Sequence, residues 1–377
     1  MDFDLSEEQR IFKSAAHNFL AKEYPKEVVR RLEESPEGYS PSSWRKMADL
    51  GWMGVMLPEE YGGSGGSFLD LVLLLEEMGY SVCPSPFFAT VVLGALPILV
   101  AGNDAQRREL LPRIASGDLL MTLALTEPEV RDHAHIPRVN AFSDGGEYVV
   151  DATKLFVPYA HTADFFLCVT RTEQGRDADA GIRIFLIDAK SPGIRLTPLK
   201  TLAKEKLFEV VFNKVRVPSE HVVGDAGQGE RILKDTLDWA AVAKAAEMIG
   251  GAQAAMEMAL QYAKERVQFD RPIGSFQAVQ RHFVTMWMEI YGGRYLVYKA
   301  ASKMSAGFPA GLEAAMAKGQ VGRACRRVTT LAHQVFGAIS FTMEHDLHFY
   351  YRQALAGDLA WGASDYQGVR LAKELGL

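Results

Sequence analysis

The spacing of apolar residues divides the chain into three stretches. Over the first 118 residues, apolar side chains such as Ile11, Ala15 and Phe19 recur every three or four positions, which is the period of an amphipathic helix. Between residues 119 and 224 the pattern changes to short runs rich in β-branched and aromatic residues, which predict strands. Long stretches with the helical period return from residue 225. We therefore predict an α+β, mainly α, fold with an N-terminal helical domain at 1–118, a central β-barrel at 119–224 and a C-terminal four-helix bundle at 225–377.

Local sequence signals predict several element boundaries. Ser6 and Gln9 stand at the spacing of a capping box, in which each side chain binds the backbone N–H of the other residue. In the middle stretch, strand-forming runs separated by turn clusters predict an antiparallel barrel or sandwich. In the last stretch, short turns separate a shorter C-terminal helix and three long helices, predicted at 233–265, 276–305 and 312–341.

Composition and charge exclude several classes of function. The net charge of −6 gives no reason to expect binding to nucleic acid or to an anionic membrane. The longest apolar run, at 91–101, is too short to span a bilayer. The three cysteines lie far apart, and the chain starts with acidic residues in place of a targeting signal, so we predict a cytoplasmic protein.

Two stretches of the last helical region carry the most specific motifs. Residues 266–280 read RVQFDRPIGSFQAVQ, and residues 334–341 read QVFGAISF. Taken singly, the first is explained equally well by a turn between two helices with aromatic anchors. Together they resemble the cofactor-binding motifs of the acyl-CoA dehydrogenase family, R-x-Q-F-G-x-P-I-x-x-F-Q and Q-x-x-G-G-x-G-F. A loop at 57–63 and the motif Thr126-Glu127-Pro128 extend the resemblance over essentially the whole chain.

The resemblance implies FAD as the cofactor and assigns residues to both of its ends. The adenosine diphosphate half belongs to an FAD that lies mainly in a neighbouring subunit, and an arginine suits its pyrophosphate because a guanidinium forms paired charge-assisted hydrogen bonds. The flavin ring is implied to contact Thr126 and Phe156, although Phe156 is equally compatible with the core of the barrel. The residues implied at the adenosine diphosphate end are Arg266, Gln268, Phe269, Gln277, Gln334 and Gly337.

Several residues depart from the family pattern. Asp270, Ala338 and Ser340 replace glycines of the two motifs, and Asp270 would repel a phosphate that it faced. After Thr126-Glu127-Pro128 the family usually continues with Gly-x-Gly-Ser-Asp, whereas this chain has Glu129-Val-Arg131-Asp132-His133. Glycines at that point admit a pyrophosphate close to the backbone, and acidic residues place negative charge beside it.

The largest departure concerns the catalytic base. Dehydrogenation of an acyl thioester needs a carboxylate that takes the α-proton. The family has two positions for this group, and here they hold Ala240 and, depending on the alignment, Ala363 or Trp361, none of which accepts a proton. Asp358 and Asp365 flank the second position and are the nearest substitutes, although a solvated helix end is the simpler interpretation of both.

A pair of histidines near the C-terminus raises the question of a metal site. His345 and His348 are three residues apart, with acidic residues at 344 and 346. The family branch that this stretch resembles has the same histidines without a metal. We therefore predict a structural or cofactor-side role and no metal.

Three hypotheses from different classes follow. The first is one subunit of a heteromeric acyl-CoA dehydrogenase that lacks its own base, because some members of the branch work as paired homologous chains, often on bulky thioesters from fatty acid or steroid degradation. The resemblance implies an acyl-CoA substrate and an electron-transfer flavoprotein as acceptor. The second is a self-sufficient homotetramer that uses Asp358 or Asp365. The third is a member of the fold without redox chemistry.

Overall fold

The computed structural model describes residues 5–128, 139–144, 146–172 and 181–377, and it has helices first, strands in the middle and helices last. This order confirms the predicted fold class. The chain divides into two compact units, one of residues 1–31, 67–83 and 238–377 and the other of residues 32–66 and 84–237. The boundaries predicted near residues 118 and 224 remain predictions.

The α-helices account for most of the regular structure. A π-helix, Phe88–Ala95, runs directly into one of them, and a 3₁₀-helix, Gly337–Phe341, follows another. No helix in the ranges given above is both long and apolar enough to cross a bilayer. The helices are α1 (Glu7–Glu23), α2 (Lys26–Glu34), α3 (Pro41–Asp49), α4 (Phe68–Ser81), α5 (Leu96–Ala101), α6 (Asp104–Ala115), α7 (Gly229–Glu265), α8 (Gln277–Ser305), α9 (Gly311–Phe336), α10 (Leu347–Leu359) and α11 (Ser364–Glu374).

Helix ends follow the local signals at some positions and depart from them at others. The capping box at the start of α1 is confirmed: Ser6 Oγ accepts from the Gln9 N–H at 3.2 Å, and Gln9 Oε1 accepts from the Ser6 N–H at 3.1 Å. The helix predicted to reach residue 341 ends at Phe336 instead. Gly337 has φ +71° and ψ −148°, a conformation that is essentially restricted to glycine and stops the helix.

In the first unit, α4 and α7 meet backbone to backbone through two glycines. A Cβ on Gly79 would lie 1.9 Å from the carbonyl oxygen of Glu247, and a Cβ on Gly250 would lie 1.8 Å from that of Glu76. Only hydrogen fits at these two points. The close approach fixes the position of α7, which carries Ala240.

Among the described residues, the strands form one eight-stranded sheet and one hairpin. In the sheet the order is β6-β7-β3-β2-β4-β5-β8, and β1 pairs with β4. The pairings of β1 and β2 with β4 are parallel, so the expectation of a wholly antiparallel sheet was wrong. The strands are β1 (Met121–Ala124), β2 (Val139–Asp144), β3 (Glu147–Pro158), β4 (Phe165–Thr172), β5 (Ile182–Asp188), β6 (Ile194–Leu199), β7 (Leu207–Pro218), β8 (Val222–Val223), β9 (Val267–Gln268) and β10 (Arg271–Pro272).

The sheet surrounds the core of the second unit. Its long strands β3 and β7 are each continuous over 12 residues. The side chains that alternate inward along these strands pack with those of β4 and β5. Phe166 and Phe212, both fully buried, meet edge to face with ring centroids 5.6 Å apart.

Candidate functional site

The Thr126 motif and strand β3 lie side by side in the second unit. Thr126 follows β1, and its carbonyl oxygen accepts a hydrogen bond of 2.7 Å from the N–H of Leu155 on β3. The structure therefore brings together the two segments that the sequence assigned to the flavin ring. The divergent residues Glu129 to His133 lie outside the described residues.

A β-bulge presents Phe156 at the surface. The pairing of β3 with β7 shifts register between Lys154 and Val157, and Phe156 has φ +56°. A left-handed conformation costs a residue with a Cβ about 1–2 kcal/mol, and bulges of this kind re-aim a side chain next to a functional site. The Phe156 side chain is 53% exposed, so the alternative that places it in the barrel core is excluded.

A buried ion pair that sequence reasoning missed lies under this bulge. Lys154 is fully buried, and its Nζ donates to Glu127 Oε1 at 2.7 Å, to Val169 O at 2.5 Å and to Leu125 O at 3.3 Å. Asn140 Nδ2 donates to the same Glu127 oxygen. The signal was present in the sequence, because Lys154 has the inward-facing parity of Val150 and Ala152 on the same strand.

In the first unit, Arg266 leads from α7 into the β9–β10 hairpin. Gln268 pairs with Arg271, and the two residues between them, Phe269 and Asp270, have φ +53° and +59°. Two-residue hairpin turns favour glycine because they require positive φ. This explains the family's glycine at the position of Asp270. Phe269 is 87% exposed at the tip of the turn.

The second motif lies next to this hairpin in the same unit. The ring of Tyr262, on the last turns of α7, contacts the ring of Phe336 at the end of α9, with centroids 4.6 Å apart. Gln334 and Gly337 are exposed, as are Arg266, Gln268 and Gln277. Ser340, which replaces a family glycine, is buried and donates to Gly337 O at 2.8 Å.

The two positions of the family's base hold no acid, and the flanking aspartates have different surroundings. Ala240 is fully buried on α7. Asp358 is 2% exposed and accepts from Arg326 Nη1 at 2.9 Å and from the Ser364 N–H at 3.2 Å. Its interpretation as a solvated helix end was therefore wrong, whereas Asp365 is exposed in the first turn of α11.

The segment that follows Asp358 is held by a second buried lysine. Lys318 on α9 is fully buried and donates to Asp358 O at 2.9 Å and to Gly362 O at 3.0 Å. Between these two carbonyls lies Trp361, at φ +55°. Ala363 is the N-cap of α11. The second position of the base, Trp361 or Ala363, therefore belongs to a connection between α10 and α11 that Lys318 holds through two backbone carbonyls.

Burial makes Lys318 a source of pH dependence. Desolvation lowers the pKa of this lysine from 10.5 to about 8. The folded state then releases its proton at lower pH than the unfolded state, so the free energy of unfolding rises with pH between about 8 and 10.5. At about 1.4 kcal/mol per pKa unit, the full rise is about 3 kcal/mol.

Replacing Lys318 by methionine is expected to remove this rise. Urea unfolding of the wild type and Lys318→Met at pH 7.5, 9 and 10 measures the difference between the two free energies of unfolding, which should change in favour of the wild type as the pH increases. If the free energies of unfolding of the two proteins changed with pH in the same way, Lys318 would not be the group that causes the rise.

The two C-terminal histidines are engaged in hydrogen bonds to the protein. His345 Nδ1 accepts from the Leu347 N–H at 3.2 Å, and His348 Nε2 lies 3.2 Å from Met343 O. Burial lowers the pKa of both imidazoles. The structural or cofactor-side role that the resemblance implied for these histidines stays a prediction.

Comparisons with known proteins identify the family and the fold. Sequence models of the acyl-CoA dehydrogenase N-terminal, middle and C-terminal domains match residues 6–118, 122–215 and 227–376. The chain is 32% identical to the probable acyl-CoA dehydrogenase YngJ of Bacillus subtilis (strain 168), over 100% of both chains. It is similar to the structure of butyryl-CoA dehydrogenase from Megasphaera elsdenii, with a TM-score of 0.93, 30% identity and 100% of both chains covered. It is also similar to a chain of the ChsE4–ChsE5 complex from Mycobacterium tuberculosis, with a TM-score of 0.91, 27% identity and coverage of 100% and 99%. The chain therefore belongs to the acyl-CoA dehydrogenase family of FAD-dependent oxidoreductases.

Proposed function

We propose that this chain is one subunit of a heteromeric acyl-CoA dehydrogenase and that a homologous partner subunit supplies the catalytic base. The observation that carries the proposal is the absence of a free carboxylate at either base position. Ala240 is a buried methyl group, and the Asp358 carboxylate is bound to Arg326 and Ser364. The similarity to a chain of the ChsE4–ChsE5 complex supports a paired assembly.

The residues present fit FAD at both of its ends. Phe156 offers an exposed aromatic face beside Thr126, and in the first unit Arg266 offers an exposed guanidinium and Gly337 an open backbone. FAD supplies the hydride acceptor for the β-carbon of the acyl thioester. In this assignment Phe156 packs along the flavin ring, Arg266 neutralises the pyrophosphate, and Gly337 lets the backbone approach it closely.

Removal of the α-proton falls to the partner. A proton acceptor must come within about 3 Å of the carbon that loses the proton, and an alanine methyl accepts none. The substrate is an acyl-CoA, and the electron acceptor that the family resemblance implies is an electron-transfer flavoprotein. A self-sufficient enzyme would use Asp358 or Asp365, and of these two Asp365 is exposed to solvent, in the first turn of α11.

The test is to express this chain alone and together with the product of the neighbouring gene. Native mass spectrometry and absorbance spectroscopy give the stoichiometry of chains and FAD, and reduction of an artificial electron acceptor by acyl-CoA gives the activity. We expect acyl-CoA-dependent reduction only from the co-expressed pair. A yellow homotetramer of this chain that performs the reaction alone would refute the proposal and direct attention to Asp365.

A further inference from the structure

The buried ion pair of Lys154 and Glu127 lies directly beneath the residues assigned to the flavin ring. Glu127 follows Thr126 in the chain, and Lys154 precedes Phe156 by two residues. Both charges are removed from water, since Lys154 is fully buried and Glu127 is 7% exposed. Burying two such charges costs several kcal/mol each unless good geometry and further hydrogen bonds offset the desolvation.

The ammonium group is fully satisfied by acceptors on both sides of Thr126. A lysine has three donor hydrogens, and those of Lys154 go to Leu125 O, Glu127 Oε1 and Val169 O. Leu125 and Glu127 are the residues immediately before and after Thr126. One side chain therefore binds the backbone carbonyl of the residue before the threonine and the carboxylate of the residue after it.

A backbone hydrogen bond also connects the segment of Thr126 to the bulge at Phe156. The N–H of Leu155 donates to Thr126 O at 2.7 Å, and the next residue is the exposed, left-handed Phe156. Conformations of this kind persist only where the surroundings determine them strongly. The ion pair, the segment of Thr126 and the bulge are therefore connected to one another by hydrogen bonds.

We propose that the Lys154–Glu127 pair is a positioning element for the flavin ring, which holds Thr126 and Phe156 in place and sets the reduction potential of the flavin bound by this chain. The inference rests on the proposed function in one respect, because it requires this chain to bind the ring. Neither residue touches the ring in this assignment; both act through their neighbours.

The charges of the pair predict the direction in which each substitution shifts the flavin reduction potential. A purely structural role predicts no such direction. Reduction adds electrons to the flavin, so an uncompensated negative charge nearby lowers its potential and an uncompensated positive charge raises it. Lys154→Met removes a positive charge from beside the assigned ring position, and Glu127→Gln removes a negative one. Both variants break the same pair and lower stability, but they shift the potential in opposite directions.

The experiment uses the co-expressed assembly and measures FAD content, thermal stability and flavin reduction potential. The potential is followed from pH 6 to 9, because a buried group that loses its partner shifts toward its neutral form. We expect the reduction potential of Glu127→Gln to be higher than that of the wild type at pH 6. We expect the reduction potential of Lys154→Met to be lower than that of the wild type at pH 9. The double variant Lys154→Met/Glu127→Leu should lie near the wild type. Thr122→Val is the matched control, since it removes a buried hydrogen bond to Pro158 O in the same unit without changing a charge.

The outcomes separate this inference from the proposed function. Potentials that stay unchanged, or that move in the same direction in both single variants, overturn the positioning role. Unchanged FAD content and reduction potential in all variants would mean that only the partner subunit binds the flavin ring. This result would also overturn the positioning role, but it would leave the proposal of a heteromeric enzyme intact. Failure of the assembly to oxidise any acyl-CoA while the opposite shifts persist would overturn the proposed function alone.

Discussion

Replacing Asp358 by alanine is expected to lower the free energy of unfolding by about 1–3 kcal/mol, the range for leaving a buried hydrogen-bond donor without its acceptor. Asp358 is almost fully buried, and its negative charge lies near the ammonium of Lys318, which has no access to solvent. Without the aspartate, that ammonium loses its counter-charge, and the Ser364 N–H loses its acceptor. Urea unfolding of the wild type and the variant at pH 7 measures the difference.

Asp365→Ala is the matched control for this prediction. Asp365 is exposed in the first turn of α11, where an acidic side chain contributes about 0.3–1 kcal/mol through the helix dipole. The comparison also tests both aspartates as catalytic bases. An Asp358→Asn variant that unfolds at the same urea concentration as the wild type, yet has lost acyl-CoA oxidation in the assembly, would identify Asp358 as the base and contradict the structural role.

Replacing Arg266 by alanine is expected to weaken FAD binding to the intact assembly by about 2–5 kcal/mol, the usual cost of truncating one partner of a buried, hydrogen-bonded charge pair. This corresponds to a decrease in affinity of about 30-fold or more. The guanidinium stands at the start of the hairpin, where it is exposed and available to a pyrophosphate. Fluorescence titration of the deflavinated assembly with FAD measures the change.

Two neighbouring cations show whether the effect is specific to Arg266. Lys264→Ala removes an exposed positive charge from the last turn of α7 and should leave FAD affinity nearly unchanged. Arg271 stacks on the ring of Phe276, with the guanidinium carbon 4.0 Å from the ring centroid, so its loss should affect the hairpin more than the cofactor. Equal losses in all three variants would indicate a general electrostatic attraction and remove the assigned role of Arg266.

The sequence by itself determined the features that depend on near neighbours. The capping box at Ser6 follows from interactions over a few residues, and the structure has it where the pattern placed it. The changes of period along the chain predicted helices first, strands in the middle and helices last, and the structure has this order. The family motifs identified the fold and FAD, because a motif records which residue types stand at fixed spacing. The same spacing showed that the positions of the base hold Ala240 and either Ala363 or Trp361.

Only the tertiary structure decided the roles of the buried charges and the strained residues. Lys154 meets a carboxylate 27 residues away, and Lys318 meets a carbonyl 40 residues away, so no local pattern specifies either contact. Asp358 looked like a solvated residue because its partner Arg326 lies on another helix. The left-handed turn at Phe156 depends on how β3 pairs with β7. These features arise when distant segments close on each other, and the cost of burying charge then selects the few arrangements in which every polar group finds a partner.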